Sequence, residues 1–172
     1  MSVLRRVAEA NLPDCWVGAG FIRNAVWDAL HGIPCEATRT DIDVVYFDAD
    51  DDGTRDEIAE TWLRTVAPGL LWDVRNQARM HRDNGDQPYA SLSDAIAHWP
   101  ETATAVAAQL RGETVVVLAP CGVEDLLDMV VRPTPSFACK TAIFDDRQRR
   151  KNWTSRWPRL RHVPQSATAD DR

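Results

Sequence analysis

The sequence predicts an α/β (α+β) fold: a mixed β-sheet flanked by helices, with a helical C-terminal arm. Three observations predict it. A short apolar run, Cys15-Trp16-Val17, meets a small-residue turn, Gly18-Ala19-Gly20. Phe21, Ile22, Ala25, Val26, Ala29 and Leu30 then recur at helical spacing. Downstream, Ile42, Val44, Val45, Tyr46 and Phe47 read as a strand, although Asp41 and Asp43 belong to it. A further strand pattern, Leu-Leu-Trp-Asp-Val-Arg-Asn-Gln at 70–77, carries Asp73 between Trp72 and Val74.

Taken in order, residues 1–10 form a short amphipathic helix with Val3, Leu4 and Val7 on one side. A strand at 16–18 leads into a helix at 20–31, which Gly32 stops. The loop at 33–40 contains Pro34, and the carboxylate strand runs from 42 to 47. The acidic run at 48–53 reads as a solvated turn. Thr54 and Glu57 stand at capping-box spacing for a helix at 55–66, broken by Pro68-Gly69. The strand at 70–77 is followed by a polar loop at 82–89, a short helix at 91–99 and a helix at 100–110 opened by Pro100 and Glu101. Residues 114–118 are β-branched and form a strand; 123–131 form a helix whose outer face holds Asp125 and Asp128. Arg132-Pro133-Thr134-Pro135 is an extended linker. A last helix covers 139–153, with Trp153, Trp157 and Pro158 docking this arm on the body. From Gln165 the chain is small, polar and disordered by composition. The expected organisation is a core at 1–131, a basic helical arm at 132–162 and a tail at 163–172.

The chain has 172 residues, enough for one domain with its own core. Nothing in it approaches the roughly 20 apolar residues of a membrane span, and its N-terminus is too charged for a signal peptide. Four cysteines without CxxC pairing fit buried free thiols in a reducing cytoplasm rather than a disulfide frame or a zinc site. The net charge of −6 conceals an asymmetry. Residues 132–162 hold nine Lys and Arg against two Asp, so the first 131 residues are strongly acidic. The basic block fits either a surface for phosphate or nucleic acid, or a charged exposed helix.

Asp is depleted in strands, so the pair Asp41 and Asp43 needs a reason. Alternation along a strand sends both carboxylates to one face, roughly 7 Å apart at the backbone, while Ile42 and Val44 face the other way. Two ionised carboxylates repel unless a cation lies between them, and oxygen-only ligands suit Mg²⁺ or Mn²⁺. Two readings fit the pair alone: a cation site, or an acidic strand edge beside an acidic turn. The upstream turn favours the first. A strand, a small-residue turn and a helix N-terminus offer backbone N–H groups and a positive dipole end to an anion, with Arg23 in the first turn as a fixed charge. If the strand carrying Asp73 lies beside that of Asp41 and Asp43, a third carboxylate joins their face.

The segments Ala19-Gly20-Phe21-Ile22-Arg23-Asn24, Leu30-His31-Gly32 and Asp41-Ile42-Asp43-Val44 resemble the head of the nucleotidyltransferase superfamily that includes DNA polymerase beta and the CCA-adding enzymes. The phrases RNAVWDALHG, TDIDVVYFD, WDVRNQARMH, HWPETATAV, APCGVEDL and RPTP resemble a family of small bacterial nucleotidyltransferases, over about residues 13–158. The chain departs in having Ala19 where the superfamily has the first Gly of a pair, and in a longer segment at 33–40. The resemblance implies a nucleotidyltransferase-like fold and metal-dependent transfer of an NMP group from a nucleoside triphosphate to a hydroxyl acceptor. Gly18, Ala19, Gly20, Arg23 and Asn24 would hold the nucleotide. Asp41, Asp43 and Asp73 would be catalytic and would hold Mg²⁺ or Mn²⁺, Asp73 acting as ligand or as base. Asn76, Arg79 and His81 are weaker substrate contacts, and Arg147 and Lys151 supply charge for the acceptor or leaving group. The acidic head and the lack of a long helical body favour a small molecule or a protein as acceptor over nucleic acid. Two other readings stay open: a non-catalytic nucleotide-binding module of the same fold, and an RNA-binding protein using residues 132–162.

Overall fold

The computed structural model describes residues 1–163. Helix α1 (Ser2–Ala8) buries Val3, Leu4 and Val7. Strand β1 (Trp16–Gly18) feeds α2 (Ala19–His31), which ends at Gly32 with φ 66°, the left-handed turn that glycine accepts at no steric cost. Then follow β2 (Asp41–Tyr46), α3 (Thr54–Val66) and β3 (Leu71–Asn76). A parallel pair of strands needs a crossover, and α3 supplies it between β2 and β3. Next come α4 (Gln77–Asn84), α5 (Leu92–Ala97), β4 (Ala107–Arg111) and β5 (Thr114–Leu118). The sheet order is β3-β2-β1-β4-β5, with every pair but β2–β3 antiparallel.

Alternation along β2 divides the two sheet faces. Ile42, Val44 and Tyr46 are fully buried and pack with Val3, Val7, Leu63, Trp72 and Val74 under α1 and α3. Val45 and Trp16, on the opposite face, pack with Leu92 and Ile96 of α5. Asp41 and Asp43 share that second face, at the end of the sheet that α5 leaves open. The helix-and-sheet layering expected from the sequence is thus present.

The C-terminal segment adds α6 (Glu124–Leu127), β6 (Val130–Val131), α7 (Thr141–Lys151) and β7 (Arg161–His162). β6 and β7 pair in parallel as a second small sheet, and Val163 N–H still donates to Val131. The arm is fastened to α2. Trp27, fully buried, meets Trp153 and Trp157 edge-on at 5.5 and 5.2 Å between ring centroids. Asp28 accepts from the Arg156 guanidinium at 2.8 Å and from Trp157 Nε1–H at 2.9 Å. The rest of the tail at 163–172 expected to be disordered lies outside the described residues.

Several expectations change. Residues 100–110 are not a helix: one turn closes where Ala105 N–H meets Glu101 O, and the chain then enters β4. Residues 101–108 are buried on every side, so their small-residue spacing carried no amphipathic information. The helix expected at 123–131 stops at Leu127, because Met129 turns the chain with φ 57° into β6. The last helix is shorter than 139–153, ending where Asn152 has φ 43°. The strand expected to reach Gln77 ends at Asn76, whose side chain caps α4 by accepting from Ala78 N–H. The Thr54–Glu57 box does not form; the Asp52 carboxylate accepts from Thr54 instead.

The acidic run at 48–53 is not simply a solvated turn. The Asp51 side chain is 2 % exposed and accepts from Tyr46, Asn76 and Arg79. Burial alone would push its carboxyl up, but those hydrogen bonds outweigh it and hold it down at about 2. The same network ties up Arg79, which also bonds Asp56 at 2.6 Å. Asn76 and Arg79 therefore hold the fold together, and His81 Nδ1 turns back to Ala78 O. All four cysteines are free, but only Cys15 is fully buried; Cys35 and Cys139 are exposed. No helix among the described residues is long and apolar enough to cross a membrane.

Candidate active site

The register of the sheet sets the site. Asp73 of β3 lies opposite Asp43 of β2, and Asp43 lies opposite Gly18 of β1. In a parallel pair, register partners project to the same face, so Asp41, Asp43 and Asp73 share one. The two neighbouring strands thus carry the three carboxylates on one face. Among the described residues the three carboxylates do not yet clasp a common point. Asp73 is turned to the Arg75 guanidinium at 2.9 Å, and Asp43 accepts from Gly20 N–H.

Electrostatics marks Asp43 out. Burial, then the charges of Asp73 and Asp41, push its carboxyl up to about 6, against smaller downward pulls from Gly20 N–H and Arg23. Burial and the charges of Glu60 and Asp41 also push Asp73 up, offset in part by Arg75. Two neighbouring carboxylates that resist ionisation form a donor set of hard oxygens short of positive charge, which suits a small divalent cation.

Across from them stands a cation with no carboxylate bonded to it. Arg23, on α2, is 6 % exposed. It donates to Asn24 Oδ1 and Thr104 Oγ1, both neutral, and its guanidinium lies 4.1 Å from the Trp153 ring centroid. Burial lowers its pKa to about 10, so it stays charged. Between Arg23 and Asp43 the backbone is bare. A methyl group on Gly20 would stand 3.5 Å from Arg23 Nη2 and 4.0 Å from Asp43 Oδ2, so glycine here leaves an open cradle between a cation and the carboxylates.

These groups line a cleft of about 450 Å³ bounded by Ala19, Gly20, Arg23, Asn24, Asp41 and Asp43 on one side and by Arg147, Lys151, Trp153 and Arg156 of the arm on the other. Gly18 lies elsewhere: it is buried in β1, and a Cβ there would meet the Trp99 ring at 2.6 Å. Arg147 reaches the cleft wall but is bonded to Glu101. Lys151 is exposed, with no carboxylate partner among the described residues. The block at 132–162 is thus largely neutralised within the molecule, through Arg147–Glu101, Arg156–Asp28, Lys140–Asp86, Arg132–Asp125 and Arg150–Asp146. A larger hollow, about 640 Å³, lies between α1 and α3 on the other face of the sheet, away from the carboxylates.

A family model described as nucleotidyltransferase matches residues 5–162. The chain belongs to this nucleotidyltransferase family. Among solved structures, one is an NMR structure described as revealing a CCA-adding enzyme head domain. It is 33% identical, superposes with a TM-score of 0.85, and the match covers 95% of this chain and 88% of that one. The CCA-adding enzyme of Bacillus stearothermophilus in complex with CTP is 15% identical with a TM-score of 0.60, over 95% of this chain but 40% of that one. The Thermotoga maritima CCA-adding enzyme complexed with tRNA is 21% identical, with a TM-score of 0.56, over 94% and 38%. This nucleotidyltransferase therefore spans about two fifths of those two enzymes, and at such identity they show a shared fold alone. No curated protein matches the chain.

Sequence reasoning missed part of the cleft of this nucleotidyltransferase. Thr104 lies in the segment expected to be helical. Trp153 and Arg156 lie in the arm, where the tryptophan spacing predicted docking but not where the arm would dock. The Ala-for-Gly departure has a measurable consequence. Ala19 sits at φ 49° with its N–H bonded to Val106 O, a conformation that costs an L-residue about 1–2 kcal/mol. Ala19→Gly relieves that strain but loosens the unfolded chain. A net gain of about 0.5–1 kcal/mol is expected, read as a higher denaturant midpoint with an unchanged slope.

Proposed function

We propose that the protein is a metal-dependent nucleotidyltransferase that moves an NMP group from a nucleoside triphosphate to a hydroxyl on a small molecule or a protein. The observation that carries this reading is the pairing across one bare glycine of a buried, carboxylate-free Arg23 with the carboxylate row of Asp41, Asp43 and Asp73. A buried cation with no carboxylate bonded to it among the described residues, and carboxylates crowded on one face, complement the two halves of a metal–triphosphate. CTP bound to relatives of the same fold agrees with a nucleotide as the donor.

Mg²⁺ or Mn²⁺ held by Asp41, Asp43 and Asp73 would neutralise the phosphates and acidify the attacking hydroxyl. The chain's own groups do the rest. Arg23 supplies the charge that would meet the phosphates, Ala19, Gly20 and Asn24 form the wall they would lie against, and Lys151 faces them from the arm. The acceptor oxygen bonds to the α-phosphorus as the bond to the bridging oxygen breaks, and pyrophosphate leaves toward Arg23 and Lys151. Asp73 either completes the cation site or, left free of it, takes the hydroxyl proton as general base.

The test is pyrophosphate release from each nucleoside triphosphate with cell extract as acceptor source, with Mg²⁺ and with chelator, together with a mass search for a product heavier by one nucleotide monophosphate. Release that needs Mg²⁺ is expected. Arg23→Met keeps the packing on Trp153 but removes the charge, and is expected to weaken nucleotide binding by about 30-fold or more, since charge-assisted bonds contribute roughly 2–3 kcal/mol. Unchanged calorimetric binding in that variant would overturn the phosphate assignment.

A further inference from the structure

Asp43 and Ala19 border not one hollow but two. Behind the nucleotide cleft, on the α4 and α5 side, a second hollow of about 210 Å³ is lined by Arg75, Gln77, Met80, Asn84, His98 and Trp99 along with Asp43. Its floor is unusually fixed. The Trp99 indole rests against Gly18, where any side chain would collide with it. Its Nε1–H donates to Gln77 Oε1 at 3.1 Å, and its carbonyl accepts from Thr134 Oγ1 at 2.7 Å. A half-buried indole held by Gly18 and Gln77, on a backbone fixed by Thr134, presents a preorganised flat face.

The polar groups around that face are specific. His98 Nδ1 lies 2.8 Å from the Asp94 carbonyl oxygen. A carbonyl only accepts, so Nδ1 carries a hydrogen, with the Asp94 carboxylate 3.6 Å away as well; in the Nδ1–H tautomer Nε2 is an acceptor. Tyr89 fixes the imidazole from its other side, with ring centroids 4.8 Å apart. A hollow with a flat aromatic wall, an imidazole nitrogen and the Asp43 carboxylate in its lining selects a planar body that carries a hydroxyl. Size narrows it. A cavity of about 150 Å³ holds one benzene, and drug-sized ligands need some 300 Å³ or more.

We propose that this hollow is the acceptor pocket and that it takes a small compound through a single hydroxyl-bearing ring, a sugar or a phenol, stacked on Trp99. The inference rests on the nucleotidyl-transfer reading, because in-line displacement brings the acceptor to the α-phosphorus from the side opposite the departing pyrophosphate. Arg23 and Lys151 line one of the two hollows that Asp43 borders, and Trp99 lines the other. In the waiting complex the ring hydroxyl donates to His98 Nε2; its hydrogen then turns to Asp73, which takes the proton as the oxygen bonds to the α-phosphorus and pyrophosphate leaves.

Indole N–H resonances of the ¹⁵N-labelled full chain, assigned with Trp99→Phe, Trp153→Phe and Trp157→Phe, provide the test. A mixture of four non-hydrolysable nucleoside triphosphate analogues with Mg²⁺ is expected to shift Trp153 and Trp157. Methyl β-D-glucopyranoside or N-acetyl-L-tyrosinamide, added next, is expected to shift Trp99 and leave those two in place; the probe that succeeds tells sugar from phenol. His98→Leu is expected to weaken the responsive probe about tenfold without moving the nucleotide shifts. If neither probe moves Trp99 up to tens of millimolar, or if they move only Trp153 and Trp157, the pocket assignment is overturned while the nucleotide reading stands. If the analogues move nothing, the nucleotide reading fails separately.

Discussion

Asp43→Asn is expected to lose Mg²⁺-dependent transfer by about 10³-fold or more and, in the same preparation, to become more stable. The loss follows from removing the central carboxylate of the proposed cation site, which supplies several kcal/mol of charge stabilisation in the transition state. The gain follows from electrostatics without a metal. Burial and the neighbouring Asp73 and Asp41 raise the folded-state pKa of Asp43 to about 6, against about 3.9 unfolded. The folded protein therefore holds this proton more tightly than the unfolded chain. Its contribution to stability is intact below about pH 4 and is lost as pH rises through about 6. The deficit at neutral pH is about 2–3 kcal/mol, at 1.36 kcal/mol per unit. Asparagine carries no such deficit and still accepts from Gly20 N–H. Thermal melts in chelator should coincide for the two proteins near pH 4 and separate by several degrees at pH 8 in favour of the variant. An inactive variant that is also less stable at pH 8 would mean Asp43 supports the fold; an active one would remove it from the chemistry.

The same residues show why this part of the chain was readable in advance. An aspartate on a strand runs against propensity unless something binds it, and β2 breaks the rule twice while β3 breaks it once at the matching register. The α2 start was legible for a similar reason, as a small-residue turn between two clear periodicities. What was not legible lacks a local signature. Helix α4 is polar almost throughout, and its cap, Asn76, is engaged with Asp48, Asp51 and Asp56 from distant segments. The segment entering β4 is buried on all sides, so no face could be told from another. Asp51 read as solvated because its partners Tyr46, Asn76 and Arg79 arrive from different elements. Trp99 read as the end of a short helix; only the sheet brings Gly18 beneath it.

Glu101 and Arg147, far apart in the chain, lead to the second large effect, which concerns stability. Glu101 is completely buried where residues 100–102 meet the linker at 132–134, and its carboxylate accepts from Arg147 Nε at 2.7 Å, Arg147 Nη2 at 3.3 Å and Gln148 Nε2 at 2.8 Å. Arg147→Ala leaves that carboxylate in place with Gln148 alone bonded to it. Removing one member of a buried pair costs about 3–5 kcal/mol, because the remaining charge is left unsolvated. Arg149→Ala, two residues on, on the exposed side and 3.6 Å from Asp146, is expected to cost no more than about 0.5 kcal/mol. Replacing both partners, Arg147→Ala with Glu101→Gln, should recover much of the loss, since no buried carboxylate is then left without its partner; the non-additivity of the double-mutant cycle measures the coupling. Equal denaturant midpoints for Arg147→Ala and Arg149→Ala would show that Glu101 finds other compensation. A large difference would mean that Arg147 serves chiefly to hold the arm against the cleft, leaving Arg23 and Lys151 as the charges available to a triphosphate.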